Sequence, residues 1–183
     1  MVAAYPFFTD FYGRQQQKKL QEAYFAAEDM ARLAQDAAET EPATAGAAGL
    51  EIDPEIIWGF IEIPAIDLAA VVLRGTSRAR LWRGPGWCEQ SALPGEGNTV
   101  ITGHRSMYGA WFRRVDRLRP GDTIILRYQG YPYRYRVEKT FVVAKNDWSV
   151  TEPCGYPALT LTTCHPFGSD RQRLVVRAAL LTQ

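Results

Sequence analysis

From residue 13 to about residue 39 the apolar positions fall three and four apart. Leu20, Ala23, Tyr24, Ala27, Met30, Ala31 and Ala34 line one face, which predicts a helix. Good helix formers fill it, with no proline or internal glycine. Alanines dominate its face, so it is expected to dock lightly or to serve as a stalk. "ETEPATAGAAG" (residues 39–49) follows and reads as a flexible linker. Beyond it the period shortens to two. "WGFIEIPAIDLAAVVLRG" offers two strand-like runs split at Pro64 and Asp67, and "GNTVITGH" reads as a buried strand. "DTIILRYQGYPYRYRVEKTFVVAK" reads as strand, tight connection and long strand; in it Tyr131, Tyr133 and Tyr135 alternate with Arg134 and Arg136. "ALTLTTC" and "QRLVVRAALL" complete the set. Strands at this spacing predict a mainly β domain, a closed or nearly closed barrel. A short helix is expected within residues 106–118, stopped by Pro120 and Gly121. The chain divides into residues 1–50, an N-terminal juxtamembrane segment with helix and linker, and residues 51–183, the barrel domain.

Composition narrows the function classes. Of the 183 residues 46% are hydrophobic and 22% charged, and the formal net charge is +1. No global pull towards nucleic acid or an anionic membrane follows from that charge. Basic residues cluster at 74–83, 113–119 and 171–177, the first two reading as solvated surface. No stretch approaches the roughly 18–20 apolar residues that span a bilayer. The opening "MVAAYPFFTDFYGRQQ" is rich in aromatics. Aromatics beside a polar helix are what lies just outside a membrane span, so a membrane anchor beyond this segment is expected. The three cysteines, Cys88, Cys154 and Cys164, match no zinc spacing. Acidic residues are scattered, so neither a metal nor another cofactor is expected. In an oxidising compartment Cys88 and Cys154 could pair.

Cys164 carries the candidate chemistry. It ends a strand just before Pro166 and Gly168, where a side chain is held rigidly yet can be reached. Alternation puts Thr160, Thr162 and Cys164 on one face and Leu159, Leu161 and Thr163 on the other. An isolated cysteine is usually buried filler. Two further residues weigh against that reading. His104, in "TGHR", ends another strand, and Arg173 opens the last one. A nucleophilic thiol needs a proton-transfer partner and a donor for the developing oxyanion, and arginine can donate without losing its charge. His165, the only other histidine, neighbours Cys164 in sequence, so alternation points it to the opposite face and it reads as a surface or loop residue.

"TLTTC" (160–164) resembles the TLxTC signature of sortases. "VITGHR" (100–105) resembles their histidine motif and "RQRLVVRA" (171–178) their arginine strand. "PGWCEQSALPGEGNTVITGHR" and "RLRPGDTI" fit the segments on either side of the histidine. The resemblance runs in unbroken order from about residue 56 to residue 181. It implies an eight-stranded sortase-type β-barrel and a cysteine transpeptidase that joins surface proteins to the Gram-positive cell envelope. By position, Cys164 resembles the nucleophile, His104 the general acid/base and Arg173 the group that positions substrate and stabilises the oxyanion. Thr163 resembles the residue that helps bind the sorting signal or the oxyanion.

"GHRSMYGAWF" with "TLTTCHP" is most similar to the actinobacterial class E sortases, housekeeping enzymes that favour an LAxTG-type signal over LPxTG. Class C pilin polymerases carry a lid, typically Asp-Pro followed by an aromatic. Here Glu55 follows Asp53 and Pro54, which favours anchoring over pilus assembly. The resemblance implies an extended peptide substrate on a secreted protein, cut between Thr and Gly through a thioacyl intermediate. It also implies an acceptor amine from a cell-wall precursor, or a pilin lysine in the alternative. A cysteine peptidase that hydrolyses, or a non-catalytic barrel gripping peptides with its aromatic strand, are the remaining alternatives.

Overall fold

The computed structural model describes residues 5–37 and 56–181. The linker, the Asp53–Pro54 pair and the expected division at residue 50 lie outside the described residues. Helix α1 (Tyr5–Ala37) precedes β1 (Ile57–Ile63), β2 (Leu68–Arg74), the one-turn helix α2 (Arg78–Leu81), β3 (Gly86–Trp87) and β4 (Asn98–Thr102). Then come β5 (Thr123–Tyr128), β6 (Tyr131–Ala144), β7 (Ala158–His165) and β8 (Gln172–Leu180). The eight strands close into one barrel in the order β1-β2-β3-β4-β7-β8-β6-β5. Closure removes most strand edges, although the two-residue β3 covers only the end of β2.

Local chemistry explains most boundaries. Pro64 starts a 3-10 turn, and Asp67 ends it in the left-handed region before β2 begins. β5 and β6 are joined by two residues, Gln129 (φ 51°) and Gly130 (φ 79°). Two positive φ values in a two-residue loop match the right-handed strand twist. β3 is only two residues long, too short to leave a periodic signal. The expected helix at 106–118 is instead a run of turns with one 3-10 turn at Val115–Arg117. Tyr108, Gly109 and Ala110 all take positive φ, which a right-handed helix cannot accommodate.

The barrel interior holds Ile61, Ile63, Ile101, Phe112, Leu126, Tyr135, Leu159, Leu161 and Val176, all at most 1% exposed. Trp58 and Trp87 stack there, with ring centroids 4.8 Å apart. Tyr135 lies inside, so its phenol is pushed up to about 12, chiefly by burial, while Tyr131 is exposed. The aromatic strand is thus partly core and only partly a surface for ligands. Outside the barrel, Leu20 and Tyr24 of α1 pack on Phe60, Val71 and Leu73. Ala27, Met30 and Ala31, expected on the docking face, are exposed. All three cysteines are free thiols.

Candidate active site

β7 and β8 pair antiparallel with Cys164 directly opposite Arg173. Directly opposed side chains stand on the same face of a sheet, and here they touch: Arg173 Nη1 lies 3.6 Å from Cys164 Sγ. The same nitrogen donates to the carbonyls of Asp170 and Gln172, each at 3.2 Å. The hairpin's own backbone therefore aims the guanidinium. Cys164 is partly exposed, whereas Leu159 and Leu161 point into the core, as strand alternation predicts. Thr163 points inward as well. It is 2% exposed, and its hydroxyl donates to Gly103 O at 2.7 Å.

His104 arrives from the other side. β4 runs parallel to β7, pairing Thr102 with Thr162, and the ladder continues as Gly103 N–H donates to Thr162 O. His104 follows Gly103 directly, so this pairing carries it to the end of β4 that lies beside the end of β7 bearing Cys164. The His104 carbonyl accepts from Phe112 N–H at 3.1 Å. Gly103 is needed between these strands, since a Cβ there would lie 3.0 Å from the buried Phe112 ring. The imidazole leans on Tyr108, with centroids 5.3 Å apart. Burial first, and then the charge of Arg78, hold its pKa below the ordinary imidazole value, so the ring is neutral at pH 7. Its Nε2 is buried and has no hydrogen-bond partner among the described residues. Leaving a buried nitrogen unpaired is costly, and such atoms concentrate where function supplies a partner.

His165 is no loose surface residue. It is half-buried at the end of β7, and its Nδ1 meets Arg105 Nη1 at 3.0 Å. A guanidinium only donates, so Nδ1 accepts. Arg105 received no role from sequence. It is 5% exposed; it also approaches the Cys164 carbonyl at 3.4 Å and pairs with Asp116 at 3.2 Å. Its position directly after the histidine in "TGHR" was the only available signal. Asn98 went unnoticed too. Its amide donates to the carbonyls of Val150 and Glu152, both at 2.9 Å, and accepts from the Thr160 hydroxyl. It ties the β6–β7 connection to the strand that carries the cysteine. Among the described residues no group of acidic, histidine and cysteine side chains could hold a metal.

Fold and site together define a closed β-barrel whose thiol, imidazole and guanidinium stand at neighbouring ends of β7, β4 and β8. A profile of the sortase domain matches residues 61–181, and the chain belongs to the sortase family. Sortase D of Bacillus subtilis is 33% identical over 129 residues, covering 68% of this chain and 64% of that protein. The chain thus spans less than two thirds of that curated relative's length. The structure of sortase E1 from Streptomyces coelicolor with a tripeptide in the active site is similar at a TM-score of 0.66 and 27% identity. That match covers 70% of this chain and 90% of that one. Streptococcus pneumoniae sortase C gives a TM-score of 0.67 at 28% identity, covering 85% and 88%. Relatives of classes A, C, D and E resemble the chain to similar degrees.

Proposed function

We propose that this protein is a cysteine transpeptidase that cuts an LAxTG- or LPxTG-type sorting signal between Thr and Gly and joins the Thr carboxyl to an amine. The observation that carries the reading is the contact of Cys164 Sγ with Arg173 Nη1, beside the end of β4 that leads into His104. In this reading Cys164 attacks the Thr carbonyl. Arg173 and a backbone N–H meet the oxyanion, the charge for which fixed donors are most effective. His104 takes the thiol proton as Cys164 attacks and passes it to the leaving amine; later it takes a proton from the incoming amine and returns it to the departing thiolate. Because His104 is held neutral, the imidazolium form is a minor species at neutral pH. Thr163, its hydroxyl engaged with Gly103, would serve the substrate through its backbone and by fixing the strand.

The substrates would be secreted proteins with a C-terminal sorting signal, and the acceptor a cell-wall precursor amine. The enzyme would work at the extracytoplasmic face of a Gram-positive membrane, held by an anchor. Among the described residues no helix is long and apolar enough to cross a membrane. The "GHRSMYGAWF" and "TLTTCHP" motifs favour the class E housekeeping type.

The test is a mass-spectrometric transfer assay with LAxTG and LPxTG peptides and a glycine-based amine. Wild type should give cleavage after Thr and an amine-joined product, with LAxTG preferred. Cys164→Ala should give none while its circular dichroism stays unchanged. Cleavage without joined product would make the protein a peptidase. Turnover surviving in Cys164→Ala would move the nucleophile to Cys88 or Cys154.

A further inference from the structure

We infer that α1 is a brace for His104, holding through Asp10, Gly13 and Gln17 the loop on which the imidazole packs and the segment stacked behind that loop. The inference rests on the reading of His104 as proton carrier. Asp10, Gly13, Gln17, Leu20 and Tyr24 follow one another at spacings of three and four, so they form one seam along the helix. Leu20 and Tyr24 fasten its later half to β1 and β2. The three earlier residues reach towards the site.

Gln17 is 1% exposed. β3 pairs with β2 only at Leu73 and Arg74, so no strand reaches Val71 on that side. The Gln17 amide takes the strand's place. It accepts from Val71 N–H at 2.9 Å and donates to Val71 O at 3.0 Å. It also donates to Arg83 O at 3.1 Å, which pins the residue after Trp82. One turn earlier, Gly13 lies against the peptide joining Tyr108 and Gly109. A Cβ at Gly13 would sit 2.6–2.8 Å from those backbone atoms. Asp10 pairs with Arg113 of the same loop at 2.8 Å.

The two pinned segments meet each other, and the loop that carries Tyr108 meets the histidine. The Trp82 and Tyr108 rings stack with centroids 5.0 Å apart and planes 17° from parallel, and Tyr108 leans on His104. Tyr108 holds φ 53°, a conformation bulky residues keep only when surroundings impose it. The Arg78 guanidinium lies over the Trp82 ring at 5.2 Å. The groups that act on His104 are thus Tyr108 from its own loop, by ring contact, and Arg78 from α2, by its charge. If α1 lifts, Tyr108 and Trp82 loosen, water reaches the imidazole, and the burial that keeps it neutral is lost.

The experiment is Gly13→Leu in the full chain, read by NMR titration of the histidine Cε1–H signals. The chain has two histidines, and His165→Gln assigns them. His104 should titrate higher than in wild type, nearer the ordinary value. kcat for peptide transfer should fall about 10-fold or more, the scale of a misplaced catalytic group, with KM for the peptide unchanged. Unchanged titration and kcat, with only a lower melting temperature, would reduce α1 to a structural staple and overturn the inference. Should Gly13→Leu not fold, Gln17→Ala frees the Trp82 segment stacked on Tyr108, and the same two outcomes decide. The titration needs no turnover. A shifted His104 in a protein that transfers no peptide would uphold the brace and defeat the functional reading instead.

Discussion

Two histidines with opposite surroundings divide the labour at the residue scale. His165 has its Nδ1 occupied by Arg105, while His104 keeps a buried nitrogen without a partner. His104→Ala should therefore lower peptide transfer by roughly 100- to 10,000-fold, the usual contribution of a positioned acid/base. His165→Ala should cost far less, because it removes a neighbour of the site and leaves Arg105 its Asp116 partner. Steady-state kinetics of the two variants side by side provide the check, and equal losses would reject the assignment. Cys164, His104 and Arg173 were legible from residue type at strand ends. Arg105 was not. Nothing in its own neighbourhood in sequence says that its guanidinium is buried, since Cys164, His165 and Asp116 come to it from distant positions.

At the scale of elements, the strand β4 does two tasks. Its end delivers His104, and its start holds Asn98, which ties the β6–β7 connection to the barrel beside β7. Arg177 Nη2 shares the Val150 carbonyl at 3.2 Å. Replacing Asn98 with Ala leaves the Glu152 carbonyl and the Thr160 hydroxyl without that partner, while Arg177 still serves the Val150 carbonyl. Each unsatisfied buried group costs about 1–3 kcal/mol, and water will reach some of them, so the loss should be about 2–4 kcal/mol. Urea unfolding would measure it, and faster proteolysis within residues 145–157 should accompany it. The long strands and the β5–β6 turn were readable because alternation and turn residues are local signals. β3 was not, since two residues carry no period. The segment 106–118 misled in the other direction. Its composition suits a helix, but its contacts hold three successive residues at positive φ.

For the whole molecule, the buried neutral imidazole links stability to pH. The pKa of His104 is depressed by burial and by Arg78, so the unfolded chain takes up a proton before the folded one does. Its contribution is fully present above about pH 6.5, the ordinary imidazole value, and is lost as pH falls towards the folded pKa. Thermal unfolding monitored from pH 8 to 5 should show stability declining below about 6.5. His104→Gln should flatten that part of the curve, and an unaltered slope would place the pH dependence elsewhere.

The sequence by itself determined the longer strands, the alternation of faces along them, and the residue types capable of thiol chemistry. Those follow from short-range periodicity and from side-chain chemistry. Only the tertiary structure decided which of these residues meet. Parallel pairing of β4 with β7 sets side by side the strand ends that lead to His104 and Cys164, sixty positions apart in sequence, and a hairpin register places Arg173 opposite the thiol. It also decided that the helix seam uses Asp10, Gly13 and Gln17 more than the alanines. An apolar pattern shows which face is buried only when burial is apolar. Here the partner is exposed strand backbone and a close-packed peptide, which select an amide and a glycine, and neither choice leaves a hydrophobic trace.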